Sequence, residues 1–152
     1  AGSGYTFILA SWRHESADIR AVREQVLCQE LGFDRSFGDE ATELGAFQVL
    51  VYDGAGRAVG AARMQPDGGI DYIAVLRPWR GVTVGGAILA YLVHIAQVRH
   101  LPTVWALVPS AAQRFFEKNG FITAGGPGAP GATARRLLRS VPLPGPRGHS
   151  TQ

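Results

Sequence analysis

The sequence predicts a mixed α/β domain on one mostly antiparallel sheet, and three observations carry this. Three apolar runs, Phe47 to Tyr52, Ala58 to Met64 and Ile70 to Leu76, follow one another with only tight turns between them. Beyond them, segments with helical apolar spacing alternate with strand-like runs. The 152 residues are 46% hydrophobic and 18% charged, the balance of a chain that folds around its own core.

In chain order, Ala1 to Gly4 reads as a loose end and Phe7 to Trp12 as a first strand. A helix is expected from Ala17 to Leu31, with Ile19, Val22, Val26 and Leu27 on one face, Ser16 as its N-cap and Gly32 as its stop. The stretch Phe33 to Gly45 is polar and mixed and reads as a short helix or a loop. The meander follows, its turns written by Asp53-Gly54-Ala55-Gly56 and Pro66-Asp67-Gly68-Gly69.

A long helix is expected over Val84 to Arg99, with Val84, Ile88, Tyr91 or Leu92, and Ile95 as its apolar stripe. Thr103 to Val108 reads as a strand. A helix over Ala111 to Asn119 has the form of a capping box at its start, with Ser110 followed by Gln113. Two last strands, Phe121 to Ala124 and Ala134 to Val141, flank a loop over Gly125 to Gly131. The residues 1–141 read as one domain and the Pro-rich 142–152 as a flexible tail.

Composition narrows the function. No apolar run approaches the ~18 residues needed to cross a membrane, and no signal peptide is expected. Cys28 is the only cysteine, so neither an intrachain disulfide nor a cysteine-based zinc site can form; a reducing, cytoplasmic setting fits, and no metal is expected. The net charge of +3 is scattered, with one dense group at Arg135, Arg136 and Arg139. That distribution argues against nucleic acid, which calls for charge on one face and an aromatic stacking platform.

The segment from Val75 to Leu89, VLRPWRGVTVGGAIL, carries the chemistry. It delivers a basic, glycine-bearing turn from the end of a strand to the start of a helix. The first N–H groups of a helix lack internal partners and the helix dipole favours negative charge there. Arg80 adds positive charge, while Gly81, Gly85 and Gly86 permit close approach. A phosphate cradle and a turn whose glycines serve only geometry are equally good readings of this composition. Neither G-x-x-x-x-G-K-[ST] nor G-x-G-x-x-G is present.

The segment resembles motif A of the GCN5-related N-acetyltransferase (GNAT) family, V-x-P-x-x-R-G-x-G-x-G-x-x-L, through Pro78, Arg80, Gly81, Gly85 and Leu89, with Pro78 one residue closer to the arginine than usual. Ala111 to Phe121, AAQRFFEKNGF, resembles the family's A-x-x-F-Y-x-K-x-G-F. The resemblance spans Ile19 to Val141. It implies a sheet that is mostly antiparallel with one splayed parallel pair, flanked by helices, and acetyl-CoA as co-substrate. On this likeness Arg80, Gly81, Val82, Thr83, Val84, Gly85 and Gly86 hold the pyrophosphate. Val75 or Leu76 supplies the N–H that polarises the thioester carbonyl.

Two positions depart from the family pattern. Thr83 replaces the middle glycine, and Phe116 replaces the tyrosine that protonates the leaving thiolate in many relatives; Tyr72, Tyr91 or water would then supply that proton. Phe115 is the better candidate of the two phenylalanines for core packing. Asp71 stands where some relatives carry a catalytic carboxylate, although a solvated turn residue is the more economical account. Glu30, Asp39, Glu40 and Glu43 fall in the stretch that shapes the acceptor site in this fold. His94 and His100 read as surface or capping residues. Trp79 reads as a cover for the loop or for adenine, and Trp105 as core or groove lining. The expected activity is acetyl transfer to the primary amine of a small molecule. A longer acyl donor, a protein acceptor, an acyl-CoA sensor and a homodimer stay open.

Overall fold

The computed structural model describes residues 4–34, 38–81, 83–124 and 134–143. β1 (Thr6–Ala10), β2 (Phe47–Tyr52), β3 (Ala58–Met64) and β4 (Ile70–Val75) form an antiparallel sheet in chain order. The turn residues do what their chemistry suggests. Asp53 Oδ1 accepts from the N–H groups of Ala55 and Arg57, both at 2.9 Å, and Gly56 takes the left-handed φ of +83° that closes the β2–β3 hairpin.

The expected single sheet is two. β5 (Thr103–Pro109), β6 (Ile122–Thr123) and β7 (Ala134–Ser140) form a second sheet in which β7 lies between β5 and β6, antiparallel to both. The sheets meet at one parallel bridge, Gly69 to Trp105, beside which the Trp105 N–H donates to the Gly68 carbonyl at 3.0 Å. From there β4 and β5 part, which is the splayed pair.

Helices cover both faces. α1 (Trp12–Arg23) starts earlier than expected. Ser11 is extended, and its N–H donates to Glu15 Oε1 at 2.6 Å, so Ser16 lies inside the helix rather than capping it. Past Arg23 the helix widens into a π-helical stretch, Glu24–Glu30, and stops at Gly32 with φ +79°. α2 (Glu40–Gly45) is capped by Asp39, whose Oδ1 accepts from the Thr42 N–H at 2.9 Å. α3 (Val84–Val98) crosses over from β4 towards β5. α4 (Ser110–Lys118) begins with Pro109 at its cap. Gln113 donates along the helix to Glu117, and the expected capping box does not form.

Strand alternation sorts the core into two layers. Val49, Val51, Val59 and Met64 pack with Ile88, Leu89 and Leu92 of α3; Leu50, Ala61, Ala74 and Leu76 face the other way, onto Ile19, Val22, Val26 and Leu27. Each fully buried Leu or Ile contributes about 1.5–3 kcal/mol before entropy is counted. This sandwich is the rigid frame against which the β4–β5 gap stays open. Among the described residues, no helix is long and apolar enough to cross a membrane.

Candidate active site

The gap begins with a bulge. Ala61 pairs with Ala74 and Arg63 with Asp71, so Tyr72 and Ile73 together stand opposite Ala62. Tyr72 holds φ +53°, an unusual conformation for a bulky residue that costs about 1–2 kcal/mol. Its ring is flanked by guanidinium groups, Arg23 Cζ at 4.5 Å and Arg63 Cζ at 4.4 Å from the centroid. The bulge bends β4 away from β5 and fixes which amides face the gap. The Leu76 N–H donates to the Val59 carbonyl at 2.9 Å, so alternation directs Ala74 towards β3 as well. Ile73 and Val75 therefore point their N–H groups into the gap. Leu76, one of the two expected donors, is spent on β3. Ile73 carries no signal in its residue type, and only the strand register reveals it.

At the far end of β4 a short 3₁₀ turn, Arg77–Trp79, leads to the N-terminus of α3. Gly81 has φ +80°, with open space where a side chain would stand. Thr83 caps α3 in the left-handed region, φ 71° and ψ 6°, a conformation that glycine adopts freely. Its carbonyl accepts from the Ala87 N–H at 3.0 Å. Val82 lies outside the described residues. Gly85 and Gly86 are also tightly packed: a Cβ on Gly85 would sit 3.1 Å from Phe115 Cζ, and one on Gly86 3.1 Å from Asn119 Oδ1. Val84 is buried in the core.

Arg80 is engaged. Its Nε donates to the Val75 carbonyl at 2.8 Å, and its Nη2 donates to both carboxylate oxygens of Glu30 on the π-helical stretch. It thus ties the end of β4 to the π-helical stretch that carries Leu27. Trp79 folds over the hairpin, with Arg57 Cζ 5.0 Å from its ring.

A cavity of ≈ 510 Å³ opens between the sheets, running from Leu27, Leu31 and Phe33 past Asp71, Tyr72 and Ile73 to Trp105, Phe115 and Phe116. Phe116 is the more buried phenylalanine, packed edge-on against Phe115 and Phe121 with centroids at 5.5 and 5.1 Å. Phe115 packs against Gly85 as expected, Phe116 joins the core as well, and both rings line the cavity. Of the candidate phenols, Tyr72 lines the cavity, whereas Tyr91 packs against Phe7 at 6.2 Å. His14, His94 and His100 are not among the lining residues.

Beside the cavity runs a chain of alternating charges. Arg23 Nη1 lies 2.8 Å from Glu43 Oε2, the same oxygen lies 3.2 Å from Arg63 Nη1, and Arg63 Nε and Nη2 donate to the two oxygens of Asp71 at 2.8 Å each. Arg23 and Glu43 are fully buried, while the Asp71 side chain is 41% exposed. Burial pushes the Glu43 carboxyl up, but hydrogen bonds from Arg23 and the Gly38 N–H outweigh it and hold Glu43 below its usual value. Burial lowers the Arg63 guanidinium, and its bonds to Asp71 overcome this to leave it raised. Of the acidic residues expected near the acceptor, Glu30 serves Arg80, Asp39 caps α2 and Glu43 is internal. Among the described residues no group of three or more His, Cys, Asp or Glu side chains is placed to hold a metal ion.

Residues 45–123 match the family model described as Acetyltransferase (GNAT) domain. No curated protein sequence matches. Among solved structures, a Lactobacillus plantarum protein assigned as an N-acetyltransferase is similar at TM-score 0.75 and 19% identity, over 91% of this chain and 97% of that one. The ribosomal-protein-S18-alanine N-acetyltransferase from Escherichia coli is similar at TM-score 0.71 and 16% identity, over 95% and 98%. N-acetylglutamate synthase from Neisseria gonorrhoeae, complexed with coenzyme A and N-acetyl-glutamate, is similar at TM-score 0.70 and 18% identity, over 93% of this chain and 36% of that one.

Proposed function

The chain belongs to the GNAT acetyltransferase family, and from that premise we propose that it transfers an acetyl group from acetyl-CoA to the primary amine of a small molecule by direct attack. The observation that carries this is the gap between β4 and β5, into which the Ile73 and Val75 N–H groups point, with Gly81, Thr83 and the start of α3 at one end. That arrangement suits a long acyl carrier with a phosphate end. The turn and the first amides of α3 accept negative charge, and the strand amides are available to an extended arm.

Acetyl-CoA supplies an activated acyl carbon. The protein's residues orient and polarise around it. The Ile73 N–H, which alone of the two free amides belongs to a cavity-lining residue, is the candidate donor to the carbonyl oxygen, where negative charge grows as the amine attacks. Asp71, at the start of β4, faces the cavity and keeps lone pairs beyond those held by Arg63, so it can orient the amine and, directly or through water, take the proton that the nitrogen sheds as the C–N bond forms. The departing thiolate has a conjugate-acid pKa of about 8.5 and leaves without obligatory protonation. Phe116 offers no proton, which leaves water or the Tyr72 hydroxyl.

The reading rests first on acetyl-CoA binding, measured by calorimetric titration, and then on thiol release in the presence of amines. Micromolar binding with amine-dependent thiol release is the expected result. Absence of binding to acetyl-CoA and longer acyl-CoAs would overturn it, and binding without turnover would make the domain a sensor.

A further inference from the structure

Resting on that acetyl-transfer reading, we propose that the acceptor is a small monoamine with an apolar, aryl or branched-alkyl body, rather than a polycationic amine. The lining of the cavity states its preference in two ways. Leu31, Phe33 and Leu107 line it while remaining 60%, 52% and 65% exposed, so apolar surface stands open where nothing in the described chain covers it. Against this, Asp71 is the single charged side chain among the lining residues.

The charge arithmetic then limits the acceptor. Arg63 holds both oxygens of Asp71, so the pair is neutral, while the carboxylate retains room for one ammonium. Gln65, the neighbouring polar group, is uncharged and offers no further anion. A second cationic centre would need a second carboxylate. Glu30, Asp34, Asp39, Glu40 and Glu43 belong to the same part of the chain, but none of them lines the cavity, and Glu30, Asp39 and Glu43 hold Arg80, Thr42 and Arg23 instead.

Size and reactivity agree with this. A benzene-sized ligand fills a cavity of about 150 Å³, so ≈ 510 Å³ accommodates an acyl terminus and a body of one ring or a branched alkyl group. Apolar walls also disfavour the ammonium form of the incoming amine. They therefore raise the fraction present as the neutral nucleophile, a benefit that an acidic, water-filled site for a polyamine would forgo.

The test begins with acetyl-CoA titration by calorimetry on the full chain. Thiol release is then measured with phenethylamine, isopentylamine, spermidine and a lysine-bearing peptide, and phenethylamine is titrated calorimetrically in the presence of coenzyme A. We expect kcat/KM for the two apolar monoamines to exceed that for spermidine and the peptide by about tenfold or more. Phe33→Ser and, separately, Leu31→Ser should weaken phenethylamine about fivefold to tenfold in both KM and direct binding, with acetyl-CoA affinity held, since neither residue belongs to β4 or β5. Equal or better use of spermidine or the peptide overturns the inference, as does bound acetyl-CoA with no turnover of either monoamine; in the first case the acetyltransferase reading survives. If acetyl-CoA fails to bind, that reading itself falls and takes the acceptor class with it.

Discussion

Arg80 and Glu30, fifty residues apart, are joined through one guanidinium nitrogen and both carboxylate oxygens, and the same guanidinium donates to the Val75 carbonyl. The arginine of the motif therefore acts here as a strap. It fixes the end of β4 against the π-helical stretch that carries Leu27. Arg80→Ala should weaken acetyl-CoA binding by about tenfold, and Glu30→Gln by about threefold, as expected for a partly exposed charged pair. In calorimetric titrations the double variant should be no worse than Arg80→Ala. Tighter binding by Glu30→Gln would instead mean that the carboxylate competes with phosphate for the arginine.

Thr83 makes a different demand on the same loop. A β-branched residue at φ 71° is strained, and glycine would remove that strain while adding unfolded-state entropy. Relief of that strain works in favour of Thr83→Gly and loss of the threonine side chain against it, so Tm should move by no more than about 2 °C for a chain of this size. The acetyl-CoA affinity should change less than about twofold, since the backbone amides stay in place. Thermal unfolding followed by titration checks both, and a larger drop in Tm would show that the Thr83 side chain contributes more than its backbone costs.

How far these features can be read from the sequence depends on how local their causes are. The β2–β3–β4 meander is legible because Asp53, Gly56, Asp67 and Gly68 write their turns within a few residues. The motif from Arg80 to Gly85 is legible too, as is α3. Harder to foresee is α1, whose start rests on Glu15 reaching back to the Ser11 N–H while Ser16 presents an equally good local signal. The placement of β7 between β5 and β6 is a long-range choice that no turn residue announces. The buried Arg23–Glu43–Arg63–Asp71 chain joins four distant positions, and each reads singly as a surface charge. Ile73 is an ordinary strand residue until the Tyr72 bulge sets its amide towards the gap. The expected loop over 125–131 and most of the expected tail, 144–152, lie outside the described residues, and so does Val82.

The buried charge chain predicts an acid limit to stability. The Glu43 carboxyl is held below its usual value, so the folded state binds its proton less readily than the unfolded chain does. Its contribution is complete above the unfolded value of about 4.5 and is lost as pH falls through the lower folded value. Urea titrations from pH 6 downward, in roughly half-unit steps, should show stability falling in that window. Glu43→Gln should show a shallower fall there. It should also cost about 3 kcal/mol at neutral pH, because Arg23 and Arg63 lose the anion between them. An unchanged pH slope in Glu43→Gln would assign the acid limit to other carboxylates.

The vertex of the gap is set by two glycines for different reasons. At Gly68, φ is +91° and a Cβ would lie 2.5 Å from the Thr103 carbonyl oxygen, a backbone atom that cannot swing aside. At Gly69 the obstacle is the Trp105 ring, with Cζ2 at 2.8 Å, and that ring also lines the cavity. Gly68→Ala must therefore break the hydrogen bond from Trp105 to Gly68 or spread the two sheets, and should cost about 2–3 kcal/mol in urea unfolding. Gly69→Ala should cost less, about 1–2 kcal/mol, since a side chain can shift where a carbonyl cannot. Its larger effect should be on function, because displacing Trp105 reshapes the cavity directly. We expect KM for the acceptor to rise more than the Kd of acetyl-CoA. Equal losses at the two positions, or a Gly68→Ala cost below about 0.5 kcal/mol, would show that the sheets are free to separate at this point and that the gap is not hinged here.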